Sequence, residues 1–254
     1  MGFCAMAHHY ISDLFFGTKD YDGFIAGVSQ AFRSLKGLEG TFSGDNLITI
    51  DKNLSFLTDK PFMKAFETHA TTRIERGIIW RMMTVLWGAR NGLRLDGDFL
   101  ECACYKGITA RIICDTIDFG SHPDRHYYLY DLFEHDESMP HHHMPEHSTT
   151  LYDEVKGRFA HLPNVTVTQG RVPDSFEQAV PEKIAFLHLD LNNAEAEIGA
   201  LEILFDRMVP GAVMVLDDYG WLGYRKQKIA EDDWMAKRGY HILELPTGQG
   251  LLIK

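Results

Sequence analysis

The chain has 254 residues, of which 45% are hydrophobic, 12% aromatic and 24% charged. That balance belongs to a folded domain with a substantial core and excludes a disordered chain. Its 25 Lys and Arg against 36 Asp and Glu leave a formal charge of -11, and a surface of that sign repels phosphate backbones, so nucleic acid is not an expected partner.

The first 95 residues are the less regular part and read as a mainly helical N-terminal extension or cap. Within them THATTRIERGIIWRMMTVLWGARNG carries apolar residues at helical spacing, with Thr71 or Thr72 available as N-cap. The expectation is a helix packed beside a sheet. Residues 96–254 alternate short apolar runs with amphipathic stretches, the pattern of βα units feeding a mostly parallel sheet. Strands are predicted at 99–104, 126–131, 165–169, 184–190, 212–217, 240–245 and 251–254. Helices are predicted at 108–117, 149–160, 194–208 and 225–238, with Gly239 placed for a left-handed C-terminal residue. Only TGQG separates the last two strands, too short for a parallel crossover, so the sheet should close with an antiparallel hairpin. The predicted fold is therefore α/β, a Rossmann-like seven-stranded sheet with a terminal hairpin. Class I methyltransferases have that ending and dinucleotide dehydrogenases do not.

Four cysteines, Cys4, Cys102, Cys104 and Cys114, form no CxxC pair and are too few for a disulfide scaffold. They read as small buried thiols in a reducing compartment. MGFCAMAHHYISDLFF lacks a basic start and is interrupted by Asp13. No stretch approaches the roughly 20 apolar residues of a membrane span, and the expectation is a cytoplasmic protein with no membrane partner.

The first strand turns into its helix through Glu101-Cys102-Ala103-Cys104-Tyr105-Lys106-Gly107. A pyrophosphate fingerprint needs three spaced glycines; this turn keeps Gly107 and places Ala103 where another would stand. That suits a ligand with a sulfonium and an amino-acid tail, with Glu101, Cys102, Ala103, Tyr105 and Gly107 as candidate cofactor contacts. Asp131 ends the second strand, where a Rossmann-type site holds ribose hydroxyls. Gly170, after the third, is a candidate adenine wall or a plain turn glycine.

The fourth and fifth strands end in IAFLHLDLNN and GAVMVLDDYGW. Asp190, Asp217 and Asp218 thus fall on the carboxyl-end edge, where open α/β sheets bind ligands. Three carboxylates there repel one another unless a cation joins them, and oxygen donors suit Mg²⁺. The alternative is that they cap turns and the following helix, a task Asn192 and Asn193 could also perform. His188 shares the strand parity of Asp190, but a lone histidine on an apolar strand is more often a hydrogen-bonded core residue. The polar loop HDESMPHHHMPEH holds His141, His142 and His143, whose adjacency does not build a tetrahedral zinc site. It reads as a lid, with His135 or His142 as candidate general base and Asp190 as a further catalytic and cofactor-contacting residue.

Together TTRIERGIIWRMMTVL, DFLECACYKG, YLYDLFE, VPDSF and HLDLNNAEAEIGALEILFDRMVPGAVMVLDDYGW resemble the macrocin O-methyltransferase (TylF-like) family of class I methyltransferases. The resemblance spans roughly residues 70–254. It implies Mg²⁺-assisted transfer of a methyl group from S-adenosylmethionine to a hydroxyl of a small molecule, commonly a sugar of a natural product. It also implies metal at Asp190, Asp217 and Asp218, ribose at Asp131, and the methionine portion at Glu101 and its turn. Two positions depart from the family pattern: Ala103 stands for a glycine, and Leu191-Asn192 for a Gly-Asp. The competing readings are a metal-independent methyltransferase and a catalytically silent adenosyl-binding module. Apolar residues of the extension suit either a subunit interface, in a dimer or tetramer, or a cover over the acceptor pocket.

Overall fold

The computed structural model describes residues 8–135 and 144–254. The chain divides into two compact units, residues 1–80 and 81–254.

The first unit is less helical than its sequence suggests. Strand β1 (Tyr10–Ile11), helix α1 (Tyr21–Arg33), strands β2 (Phe42–Gly44) and β3 (Leu47–Thr49), and helices α2 (Lys60–His69) and α3 (Arg73–Gly77) follow in order. The strands form a three-stranded sheet in that order. Its hairpin turns on Asp45 and Asn46, both left-handed at φ 51° and 57°, the conformation a two-residue loop needs and that short polar side chains tolerate. Thr72 is the N-cap of α3. Its hydroxyl accepts from the Glu75 amide while the Glu75 carboxylate accepts from the Thr72 amide, a complete capping box.

The second unit begins within α4 (Ile79–Gly92). It continues β4 (Asp98–Cys102), α5 (Ile108–Thr116), β5 (Tyr127–Asp131), α6 (Leu151–Phe159), β6 (Val165–Gln169), β7 (Ile184–Leu189), α7 (Ala194–Leu204), β8 (Met208–Leu216), α8 (Arg225–Ala236), β9 (Leu243–Glu244) and β10 (Gly250–Ile253). Seven strands lie in the order β6-β5-β4-β7-β8-β10-β9. The first five are parallel, and β10 runs antiparallel to both β8 and β9. The closing hairpin is present as expected, with Gly239 left-handed at φ 78° after α8. The helix expected to reach Met208 ends at Leu204, because Met208 already pairs with Ile184 as the first residue of β8.

One face of the sheet packs Leu100, Leu187, Leu189, Met214 and Leu216 against Leu201 and Leu204 of α7 and Trp234 and Met235 of α8. On the other face Phe99 meets Phe119, Tyr127 and Phe186. Helix α4 covers this face closely. A Cβ at Gly88 would lie 2.7 Å from the Phe186 ring and one at Gly92 3.0 Å from the Phe186 Cβ, so only glycine permits the approach. Arg81 lies seven residues before Gly88, two helical turns along the same stripe, at the end where the strands finish.

Between α7 and α8 lies a buried polar group. The Gln227 Nε2 donates to Glu231 Oε1 at 3.1 Å and, at a long 3.5 Å, to Glu197 Oε1. Burial pushes the Glu231 carboxyl up to about 7. Burial, and then the nearness of Glu231, hold that of Glu197 well above the usual range. The folded protein therefore favours the protonated acids. The stability this provides is full below the ordinary glutamate value of 4.5 and is lost as pH rises through about 7. Glu231→Gln is accordingly expected to melt a few degrees above the parent at pH 8.5, with the gap closing by pH 5, as read by calorimetric melting.

Candidate active site

The carboxyl ends of β4, β5, β6 and β7 open onto a cavity of about 420 Å³. Its floor is the turn after β4. Ala103 and Tyr105 are left-handed at φ 63° and 49°, and Gly107 at φ 66°. A Cβ on Gly107 would sit 2.8 Å from the Phe159 ring, so this glycine serves helix packing as well as the turn. Asp131, at the end of β5, holds the turn in place. One carboxylate oxygen accepts from the Tyr105 amide at 2.7 Å, the other from the Phe133 amide at 2.6 Å. Asp131 also lines the cavity.

Ala103, Tyr105, Asp131, Gly170 and Asp190 all line this cavity, so five of the residues expected to touch a cofactor are brought together. Glu101, Cys102 and Gly107 are not among its walls. Cys102 is fully buried in the core, where burial pushes its thiol up. Glu101 is 2% exposed and accepts from the Tyr127 hydroxyl at 2.7 Å. Beside it on the next strand stands His188, Nδ1 3.6 Å from Glu101 Oε1, and on the far side His188 Nε2 lies 3.6 Å from Asp217 Oδ1. Burial alone would lower the His188 pKa, but the two carboxylates outweigh it and raise the group well above its ordinary value. The histidine is thus a core residue that bridges two acids electrostatically.

Asp190, Asp217 and Asp218 stand at the ends of adjacent strands, as read from the sequence, but a basic group from far upstream joins them. Arg81 Nη1 lies 3.0 Å from Asp217 Oδ2 and 3.0 Å from Asp218 Oδ1, and its guanidinium carbon sits 5.0 Å from the centre of the Trp221 ring. Gln249 donates to the other oxygen of Asp217 at 2.7 Å and to the Arg81 carbonyl at 3.3 Å. Burial would raise the Asp217 carboxyl, but Arg81, His188 and Gln249 hold it far below the usual carboxylate range. Asp190 goes the other way, pushed well up by burial and by the charges of Asp217 and Asp218. An all-oxygen donor set suits a hard divalent ion such as Mg²⁺. As the side chains stand, Asp217 and Asp218 are both turned to Arg81. Among the described residues no group of three His, Cys, Asp or Glu side chains is placed to hold an ion.

After Asp190 the chain is held by Glu197, whose Oε1 accepts from the Leu191 amide at 2.9 Å. Asn193, not Asp190, caps α7, accepting from the Glu195 and Ala196 amides at 3.0 Å each. Asn192 is left-handed at φ 56°, a conformation asparagine tolerates. His135 lies with its ring 6.3 Å from that of His147, and His147 lines the cavity. His142 lies outside the described residues. Arg81, Gln249 and His147 were not singled out by sequence.

Residues 100–219 match a family described as a methyltransferase domain. The chain thus carries a methyltransferase domain over these residues. No curated protein matches its sequence. Among solved structures it is similar to the O-methyltransferase NovP, at 18% identity and TM-score 0.59 over 72% of this chain and 81% of that one. It is also similar to CalS11, a TDP-rhamnose 3'-O-methyltransferase in calicheamicin biosynthesis, at 11% identity and TM-score 0.57 over 94% and 96%. A third is the S-adenosylhomocysteine-bound Podospora anserina methyltransferase PaMTH1, at 11% and 0.52 over 95% and 99%. These likenesses establish the fold. No helix among the described residues is long and apolar enough to cross a membrane.

Two substitutions test the cavity floor. Asp131→Ala frees two backbone amides and removes the polar wall, and should weaken S-adenosylhomocysteine binding at least about tenfold by calorimetry. Ala103→Gly should stabilise the fold by about 0.5–1 kcal/mol in urea unfolding. Relief of a left-handed alanine is worth about 1–2 kcal/mol, and added chain entropy returns about 0.5–1.

Proposed function

We propose that this methyltransferase acts on a hydroxyl of a small molecule, a sugar or natural-product intermediate, in the manner of the macrocin O-methyltransferase group. The observation that carries the proposal is the position of Asp190. It lines the donor cavity and also feels the charges of Asp217 and Asp218, so it stands where donor and acceptor sites meet. The sugar O-methyltransferase title of CalS11 agrees with that acceptor class.

The chemistry asks for little covalent machinery. The acceptor oxygen attacks the methyl carbon in line, the carbon–sulfur bond breaks with its electron pair passing to sulfur, and the hydroxyl proton must leave. Asp131 and the Ala103–Tyr105 turn hold the donor from below. Asp190, at the wall of the cavity, takes the proton at its carboxylate. His147, against the cavity and beside His135, shields the methyl group from water. The family resemblance adds Mg²⁺, whose ligands would be Asp190, Asp217 and Asp218 and which would lower the acceptor hydroxyl's pKa; as they stand these side chains are not placed to hold an ion. A metal-independent reaction is the second reading, and the Arg81 contacts to Asp217 and Asp218 favour it.

The test is transfer from labelled S-adenosylmethionine to a panel of nucleotide sugars and glycosides. Asp190→Asn should lower turnover by about 10²–10⁴ while S-adenosylhomocysteine affinity stays within about threefold. Wild-type protein that binds S-adenosylhomocysteine but methylates nothing in a broad hydroxyl panel would mark a silent adenosyl-binding module instead, and wild-type protein that binds none would remove the donor assignment.

A further inference from the structure

One wall of the cavity is tied down by a side chain that is not itself part of it. Leu191, Asn192 and Asn193 line the cavity beside Asp190, in the loop between β7 and α7. The Asp190 amide donates to the Cys102 carbonyl at 3.2 Å, and the Leu191 amide donates to Glu197 Oε1 at 2.9 Å. Glu197 is fully buried in the first turn of α7 and is not among the cavity walls. Its influence on the wall passes through that backbone hydrogen bond.

Behind Glu197 stands α8. Gln227 and Glu231 are buried there one helical turn apart, and the Gln227 amide nitrogen faces a carboxylate oxygen of each acid. Each of the three side chains also keeps one oxygen buried without a hydrogen-bond partner among the described residues: Glu197 Oε2, Gln227 Oε1 and Glu231 Oε2. Leaving such an atom unpaired is costly, and acceptors cannot satisfy one another. The donors this group can supply for itself are carboxyl protons, because a protonated acid gains an O–H. The upward shift of both acids agrees with protons held between the two helices.

We infer that Glu197 is a positioning residue that holds the Asp190–Asn193 wall of the cavity through the Leu191 amide, braced from α8 by Gln227 and a proton-bearing Glu231. The inference rests on reading the cavity as the donor site. The charged groups facing the brace are His188 of β7, Asp218 after β8, and Lys228 and Asp232 of α8; the Cys102 thiol of β4 also stands near Glu197. They are of both signs, so burial decides the balance. Ionising Glu231 strains the closed contact between α7 and α8. Any arrangement that lets water reach the acids is therefore favoured as pH rises through about 7. There Glu197 no longer fixes the Leu191 amide, so apparent donor affinity falls with the fraction of molecules that keep the proton. Above that pH, binding must take up protons.

The test is S-adenosylhomocysteine binding to the full chain by calorimetry from pH 6 to pH 8.5, in buffers of different ionisation enthalpy, for wild type, Glu231→Gln, Glu197→Gln and Glu197→Ala. Ionisable groups of the cavity and of the ligand act alike on all four proteins, so the measure is the difference from wild type. Across this range wild type is expected to lose at least about threefold more affinity than Glu231→Gln, and at pH 8.5 to take up protons that Glu231→Gln does not. At pH 6 Glu197→Ala should bind at least about fivefold more weakly than wild type, while Glu197→Gln, whose amide oxygen still accepts from Leu191, should stay within about twofold. Equal pH dependence and equal proton uptake in wild type and Glu231→Gln overturn the brace, whether or not Glu197→Ala folds. Folded Glu197→Ala that binds as wild type does overturns the positioning role. Wild-type protein that binds no S-adenosylhomocysteine at any pH removes the donor reading and the brace together.

Discussion

Four acids, Glu101, Asp190, Asp217 and Asp218, are drawn to one edge of a sheet whose interior is apolar, and most of the molecule's design around that edge is compensation for their charge. Strand parity leaves little choice. Glu101 pairs with His188, and His188 with Val215 two residues before Asp217, so acid, imidazole and acid lie in a row across three strands. His188 answers two of the acids and Arg81 answers Asp217 and Asp218, while Asp190 is the one whose carboxyl is pushed up most plainly by its neighbours. A buried charge left unanswered would cost several kcal/mol.

The cavity follows a different logic, with hydrogen bonds in place of ion pairs. Asp131 ties two backbone amides, one from the turn after β4 and one from the loop after β5. The cavity is thus shaped before any ligand arrives, which lowers the ordering cost of binding. Ala103 bears a small strain within that shape, consistent with a position where a glycine would rest more easily.

Much of this was legible in the residues. Periodicity located all seven strands of the large sheet, and TGQG signalled the closing hairpin. Asp131, Asp190, Asp217 and Asp218 fall at strand ends because apolar runs stop there, which needs no tertiary information. Arg81 was not legible: on a helix it is one basic residue among several, and its value comes from a contact across 136 residues. Glu101, read as a donor contact, is turned by the alternation along β4 toward Tyr127 and His188. The small sheet of the first unit was missed because its strands are two and three residues long, although Asp45-Asn46 carries the turn chemistry. Leu191 departs from a family glycine at a residue whose backbone, through its amide to Glu197, does the structural task.

The glycines of α4 act as a ruler. With Gly88 and Gly92 seated on Phe186, the distance from that contact to Arg81 is fixed at two turns, about 10 Å, and so is the direction in which the side chain points. Inserting one residue between Arg81 and Gly88 would rotate it by about 100° around the helix axis and carry the guanidinium off the strand ends. The spacing between these positions is therefore a tighter constraint on the chain than the identity of the residues that fill it.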